Sequence, residues 1–175
     1  MLKRKIDKYL EEWKASVDKK PLIVKGARQV GKTASIRYFG EKYYKYIVEI
    51  NFALQPKYKQ IFADGYEVDS IIKNITLLNP SLVVVPHETL LFFDELQEYP
   101  DCATSLKSFK QDGRYDVICS GSLMGLYYQQ IESNSVGYKT DYEMYSLDFE
   151  EFLWAKGYDE HFINDLYQHM VELKP

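Results

Sequence analysis

The eight residues Gly26-Ala27-Arg28-Gln29-Val30-Gly31-Lys32-Thr33 constrain this chain more than any other stretch of it. They follow the apolar run Leu22-Ile23-Val24 and precede a helical pattern, so they read as a glycine-rich turn between a buried strand and a helix. Glycines in the turn let the backbone bend until successive N–H groups point inward at an anion, and the helix that follows adds the positive end of its dipole. Lys32 supplies a charge for the β- and γ-phosphates, and the Thr33 hydroxyl is placed to meet a magnesium ion. The pattern therefore predicts a phosphate loop in which Gly26, Ala27, Arg28, Gln29, Val30, Gly31, Lys32, Thr33 and Ala34 contact a nucleotide.

A second element fits the first. Leu90-Leu91-Phe92-Phe93 is a wholly apolar strand that ends in Asp94-Glu95. It would deliver two carboxylates to the carboxyl edge of a parallel sheet, where ligands bind in open α/β folds. Asp94 is the expected partner of Thr33 on the metal, directly or through its water. Glu95 is the expected general base, placed to orient and deprotonate an attacking water. A third strand, Asp116–Cys119, runs into Ser120-Gly121-Ser122. If it lies between the other two, a hydroxyl of Ser120 or Ser122 can reach the γ-phosphate or the water, although Ser-Gly-Ser is also an ordinary turn. No Asn-Lys-x-Asp segment for reading guanine occurs, so the expected nucleotide is ATP, with magnesium, and the linker before Pro21 is a candidate to hold its base.

Around these segments the chain alternates helical and strand patterns. Ile6, Leu10, Trp13 and Val17 make an amphipathic helix over residues 2–17, within an N-terminal segment 1–18 docked on the core. Gly31 to Gly40 reads as a helix closed by a glycine cap. Residues 44–52 alternate as a strand, 56–63 and 67–78 read as helices, and Pro100 opens a helix ending at Asp112-Gly113. Glu143–Leu147 is a short strand candidate, followed by a helix through Phe149, Phe152, Leu153 and Trp154. This order predicts an α/β, three-layer phosphate-loop fold with a mostly parallel central sheet of about five strands.

With 175 residues and 46% hydrophobic content, the chain is expected to be one domain spanning 1–175. Its apolar runs are far too short to span a bilayer and its start lacks the apolar stretch of a signal peptide, so a cytoplasmic protein without membrane contact is expected. Cys102 and Cys119 have no metal-ligand spacing, and His87, His161 and His169 form no cluster. Residues 1–32 carry ten Lys/Arg against four Asp/Glu, and the rest of the chain twelve against twenty-two. The basic front permits contact with nucleic acid, but part of it (Arg28, Lys32) belongs to the phosphate loop and the rest lies on the polar face of an amphipathic helix, which is the favoured reading.

Taken together, Lys20–Thr33, Asn51-Phe52, Leu90–Gln97, Ser120-Gly121-Ser122-Leu123 and Leu147–Leu153 resemble the prokaryotic AAA-like ATPases in which an AAA_14 domain precedes a DUF4143 domain. The resemblance implies an AAA-type core with an extra strand between the phosphate-loop strand and the Asp-Glu strand. It also implies ATP hydrolysis with Glu95 and a polar sensor at Ser120 or Ser122, and it leaves Gln97 at a family position without an assigned role. The family continues into a lid-like region and a second domain, so a chain ending at Pro175 is expected to be a truncated product or fragment. Members often follow Val-Gly with Arg or Lys, whereas Val136-Gly137 is followed by Tyr138 and then Lys139, which puts an arginine finger there in doubt. Arg114 is the remaining candidate in this chain, and self-association is the usual route by which such relatives complete a site. Two other readings stay open: an ATP-binding switch or scaffold without turnover, and a small-molecule kinase, against which stands the lack of arginine in Gln129–Thr140.

Overall fold

The computed structural model describes residues 2–122, 131 and 135–172. Its elements run α1 (Lys5–Ala15), β1 (Leu22–Lys25), α2 (Lys32–Tyr43), β2 (Tyr46–Asn51), a 3₁₀ segment (Pro56–Phe62), α3 (Val68–Leu78) and β3 (Thr89–Asp94). Two 3₁₀ turns (Leu96–Glu98 and Pro100–Thr104) lead into α4 (Ser105–Asp112), followed by β4 (Asp116–Gly121), β5 (Thr140–Glu143), α5 (Phe149–Ala155) and α6 (Glu160–Glu172). The five strands form one sheet in the order β2-β3-β4-β1-β5, and every neighbouring pair is parallel. The expected α/β layering is borne out, including the strand β4 between β1 and β3.

Strand periodicity sorts the core into two halves. Leu91, Phe93, Val117 and Cys119 face a cluster that holds Ile71 and Ile75 of α3 with Leu106 and Phe109 of α4. Leu90, Phe92 and Ile118 face the other side, against Ile6, Leu10 and Trp13 of α1 and Ile36 and Phe39 of α2. A strand covered on both sides has no polar face to show, which is why all six residues of β3 are buried. Each large apolar side chain so buried stabilises the fold by about 1.5–3 kcal/mol before the entropy of ordering is counted. Cys102 and Cys119 are free, buried thiols within the first cluster.

Four local expectations need correction. Helix α1 stops at Ala15 and leaves Val17 fully exposed, because the Ser16 N–H turns back to Trp13 and the indole of Trp13 donates to Lys20 O at 2.8 Å. Helix α2 does not end at Gly40 but runs on to Tyr43. A Cβ at Gly40 would lie 2.6 Å from Ile47 Cδ1 and 3.1 Å from Leu90 Cδ2, so this glycine sets how closely the helix lies on the sheet. Strand β5 is Thr140–Glu143 rather than Glu143–Leu147, because its parallel pairing with β1 matches Leu22 to Thr140 and Lys25 to Glu143. The helix opened by Pro100 begins as a 3₁₀ turn and becomes α-helical at Ser105. Among the described residues, no helix is long and apolar enough to cross a membrane.

Candidate functional site

The loop after β1 is shaped by backbone that few residues tolerate. Gly26 has φ of 155°, and a Cβ there would sit 2.1 Å from the Met144 carbonyl oxygen, so the chain leaving the neighbouring strand β5 closes against this position. Gln29 adopts the left-handed region at φ 63°, and Gly31 at φ 100° forms the N-cap of α2. No acid lies in the first turn of α2, so the positive end of the helix dipole is left free to act on an anion. Lys32 folds back inside the turn, its ammonium donating to Gly26 O at 3.0 Å and Ala27 O at 2.6 Å. Burial pulls the Lys32 ammonium below the usual lysine value, and the nearby Glu95 and Asp94 carboxylates partly counter it.

The acid end of β3 lies beside this loop. Thr33 Oγ1 donates to Asp94 Oδ2 at 3.2 Å. The sheet register places Asn51 opposite Asp94, and its Nδ2 donates to the same oxygen at 3.1 Å. On the other side, Phe93 pairs with Cys119, so the next residue, Ser120, donates its hydroxyl to Asp94 Oδ1. The Glu95 N–H donates to that oxygen at 3.0 Å. Four donors, from β2, β4, α2 and the residue after β3, thus hold a carboxylate that is only 4% exposed. Glu95 itself is a non-glycine residue at φ 57° and ψ 49°, a conformation costing on the order of 1–3 kcal/mol and typical of sites where side-chain aim matters. It opens with Lys32, Thr33, Arg37 and Ser122 onto a cavity of about 570 Å³.

These residues fit a magnesium nucleotide. One hydroxyl and one carboxylate on adjoining elements are the sparse protein contribution that magnesium takes when phosphates and waters complete its octahedron. Among the described residues, no group of three His, Cys, Asp or Glu side chains could hold a metal without such help.

A family profile described as an AAA domain matches residues 18–153. The chain belongs to the AAA_14 family. No curated protein matches it. Of the solved structures, Hsp104 of S. cerevisiae in complex with ADP matches this AAA domain at 15% identity and a TM-score of 0.52, over 83% of this chain and 22% of that one. PCH-2 of C. elegans matches at 11% identity and a TM-score of 0.44, over 79% of this chain and 42% of that one. The AAA domain therefore spans less than half the length of either of these structures, and the likeness to Hsp104 is one of fold.

Within this AAA domain several expected residues lie together and others do not. Lys32, Thr33, Asp94 and Glu95 share one edge of the sheet with Ser120 and Ser122, but the two serines differ. Ser120 is fully buried with its hydroxyl committed to Asp94, so it aims that carboxylate and does not reach into the cavity, whereas Ser122 lines the cavity wall. Arg114 sits at the opposite edge, before β4, where it is held by Asp112 and Asp69 at 2.6 Å each, far from the loop. The linker before Pro21 is also at that opposite edge, with Lys19 on Asp116 at 2.8 Å, which removes it as a seat for a base. Lys139 pairs with Asp141 at 2.5 Å. Leu123 and most of residues 129–134 lie outside the described residues.

Arg4 was missed by the sequence reading. Its guanidinium is nine-tenths buried and donates to Val30 O and Tyr145 O at 2.8 Å each, with Nε 3.1 Å from Glu151 Oε1. Glu151 also closes a capping box with Asp148 at the start of α5. Arg4 thus ties the phosphate loop to α5. It borders an apolar recess of about 510 Å³ on the far side of the loop, walled by Leu2, Val30, Ala34 and Leu147. The one signal available was a charged residue at the head of an amphipathic helix, which looks the same as a solvated lysine beside it.

Proposed function

We propose that this AAA domain binds ATP with magnesium and hydrolyses it to ADP and phosphate, and that the cycle drives or switches an attached domain or partner. The observation that carries this reading is the meeting of the Thr33 hydroxyl and the Asp94 carboxylate beside the Lys32 ammonium, with Glu95 one residue further along. The loop amides and the α2 N-terminus would cradle the β- and γ-phosphates, with Lys32 spreading its charge over them. Thr33 and Asp94 would hold the magnesium ion, which when bound neutralises phosphate charge. Glu95 would orient a water in line with the γ-phosphorus and take its proton as the O–P bond forms and the bond to the ADP oxygen breaks. The recess beside Val30 and Ala34 offers an apolar slot for the adenine ring.

The transition state also needs positive charge near the leaving phosphate. Arg28 and Arg37 are exposed at the loop and at the cavity, Arg114 is not there, and a second copy is the natural source of a further arginine. The test is ATP turnover by wild type and Glu95→Gln. The expected result is a fall of about 10²–10⁴ in kcat with ATP binding retained. Turnover that is unchanged by the substitution would remove Glu95 from the mechanism. A second reading, tight ATP binding without turnover, draws on the place of Arg114, which is held by Asp112 and Asp69 at the opposite edge and so supplies no finger to this site. A single-turnover assay at enzyme excess separates the two, since the switch reading predicts ATP recovered intact.

A further inference from the structure

Beyond the residues that would touch nucleotide, the cavity edge holds a side chain whose two ends are both occupied. The 3₁₀ turn Leu96–Glu98 follows Glu95 directly, pinned by the buried Leu96 and by Glu98 N–H donating to Glu95 O at 2.9 Å. This turn folds the Gln97 side chain back toward the carboxylate. Gln97 Nε2 donates to Glu95 Oε2, while Gln97 Oε1 accepts from the Ser122 N–H at 3.0 Å. The second bond decides which way the amide faces, because a backbone N–H accepts nothing and must meet the oxygen. The nitrogen is then left for Glu95. Gly121 leaves the room for this: a Cβ there would lie 2.8 Å from Gln97 Oε1.

We infer that Gln97 is a positioning residue that aims the Glu95 carboxylate and takes its own orientation from the backbone just after β4, so that the base is set by the end of the strand that also carries Ser120. The inference rests on the reading of Glu95 as the base. It gives a physical role to the amide: Glu95 stands on strained backbone at the lip of an open cavity, where a carboxylate without a partner would sample several rotamers. One charge-assisted hydrogen bond restricts it, and the bond from Ser122 carries any movement at the end of β4 to it.

The test measures kcat, KM for magnesium-ATP and the dissociation constant of ATP for Gln97→Met, which keeps volume and loses both bonds. The expected result is a drop in kcat of about 10- to 100-fold, with KM and ATP affinity within about twofold of wild type. In single-turnover assays on a Glu95→Gln background, Gln97→Met should cause no further loss, because its effect passes through the missing carboxylate. Gly121→Ala, which crowds Gln97 Oε1 from another element without straining the backbone, should reproduce the loss in kcat. A kcat for Gln97→Met within about twofold of wild type overturns the inference. So does a fall in ATP affinity and melting temperature that parallels kcat, or an added loss in the Glu95→Gln background. Hydrolysis unchanged by Glu95→Gln removes the underlying reading instead. A loss in Glu95→Gln with none in Gln97→Met removes the inference alone.

Discussion

Both edges of the sheet carry charged residues, and the two use them differently. At the amino edge, a cavity of about 390 Å³ is bordered by Lys14, Lys19, Lys110 and Arg114, which looks like an anion site by composition. There Lys19 meets Asp116, Lys110 meets Asp18 at 2.5 Å, Arg114 meets Asp112 and Asp69, and Lys14 lies over the Tyr44 ring. At the carboxyl edge, Arg37 meets Glu49 at 2.6 Å on the rim, but Lys32 turns to backbone carbonyls, and the acid Asp94 is surrounded by hydroxyl, amide and N–H donors in place of a cation. Left-handed backbone does not separate them, since Gln29 and Glu95 adopt it at the carboxyl edge and His87 at the amino edge. The lesson is that a site is marked by charges whose partners are weak. A count of basic residues would have chosen the wrong end.

The sharpest way to break this comparison is Arg4→Met. It strands the Glu151 carboxylate, 5% exposed, and frees the Val30 and Tyr145 carbonyls, so urea unfolding should show a loss of about 3–5 kcal/mol. A loss below about 1 kcal/mol would mean that the tie between loop and α5 is not structural. Next comes Lys32→Ala, for which titration with magnesium-ATP should show roughly 100-fold weaker binding, the size of about two hydrogen bonds to charged phosphates. Asp94→Asn should reduce about tenfold the gain in ATP affinity that magnesium provides, while affinity without metal changes little. Smallest is Arg114→Ala, which should leave ATP affinity and turnover unchanged. A clear loss there would return the opposite edge to the mechanism.

Much of this fold is legible in the sequence, because each of its cues is local. A glycine-rich turn between an apolar strand and a helix, and an apolar strand ending in two acids, owe their signals to neighbours a few residues away. What escaped depends on distant partners. Gly40 looked like a helix cap and is a contact surface, a difference decided by Ile47 and Leu90. Thr140–Glu143 has no apolar alternation and is a strand because β1 offers it a free side to pair with. Arg4 and Gln97 look like surface polar residues until the chain brings Val30, Glu151 and Ser122 to them. The sequence points Ser120 to the carboxyl edge, but its burial against Asp94 follows from strand order, which periodicity does not contain.

The contact of Met144 with the phosphate loop has a temporal meaning. Its N–H donates to Lys25 O at 2.7 Å, and its carbonyl fills the space above Gly26, although well over a hundred residues of chain separate them. Because synthesis proceeds from the N-terminus, the turn that begins near residue 26 emerges from the ribosome long before Met144 does. Its final shape must await nearly the whole domain, so ATP added to a stalled nascent chain would meet a finished cradle late rather than early.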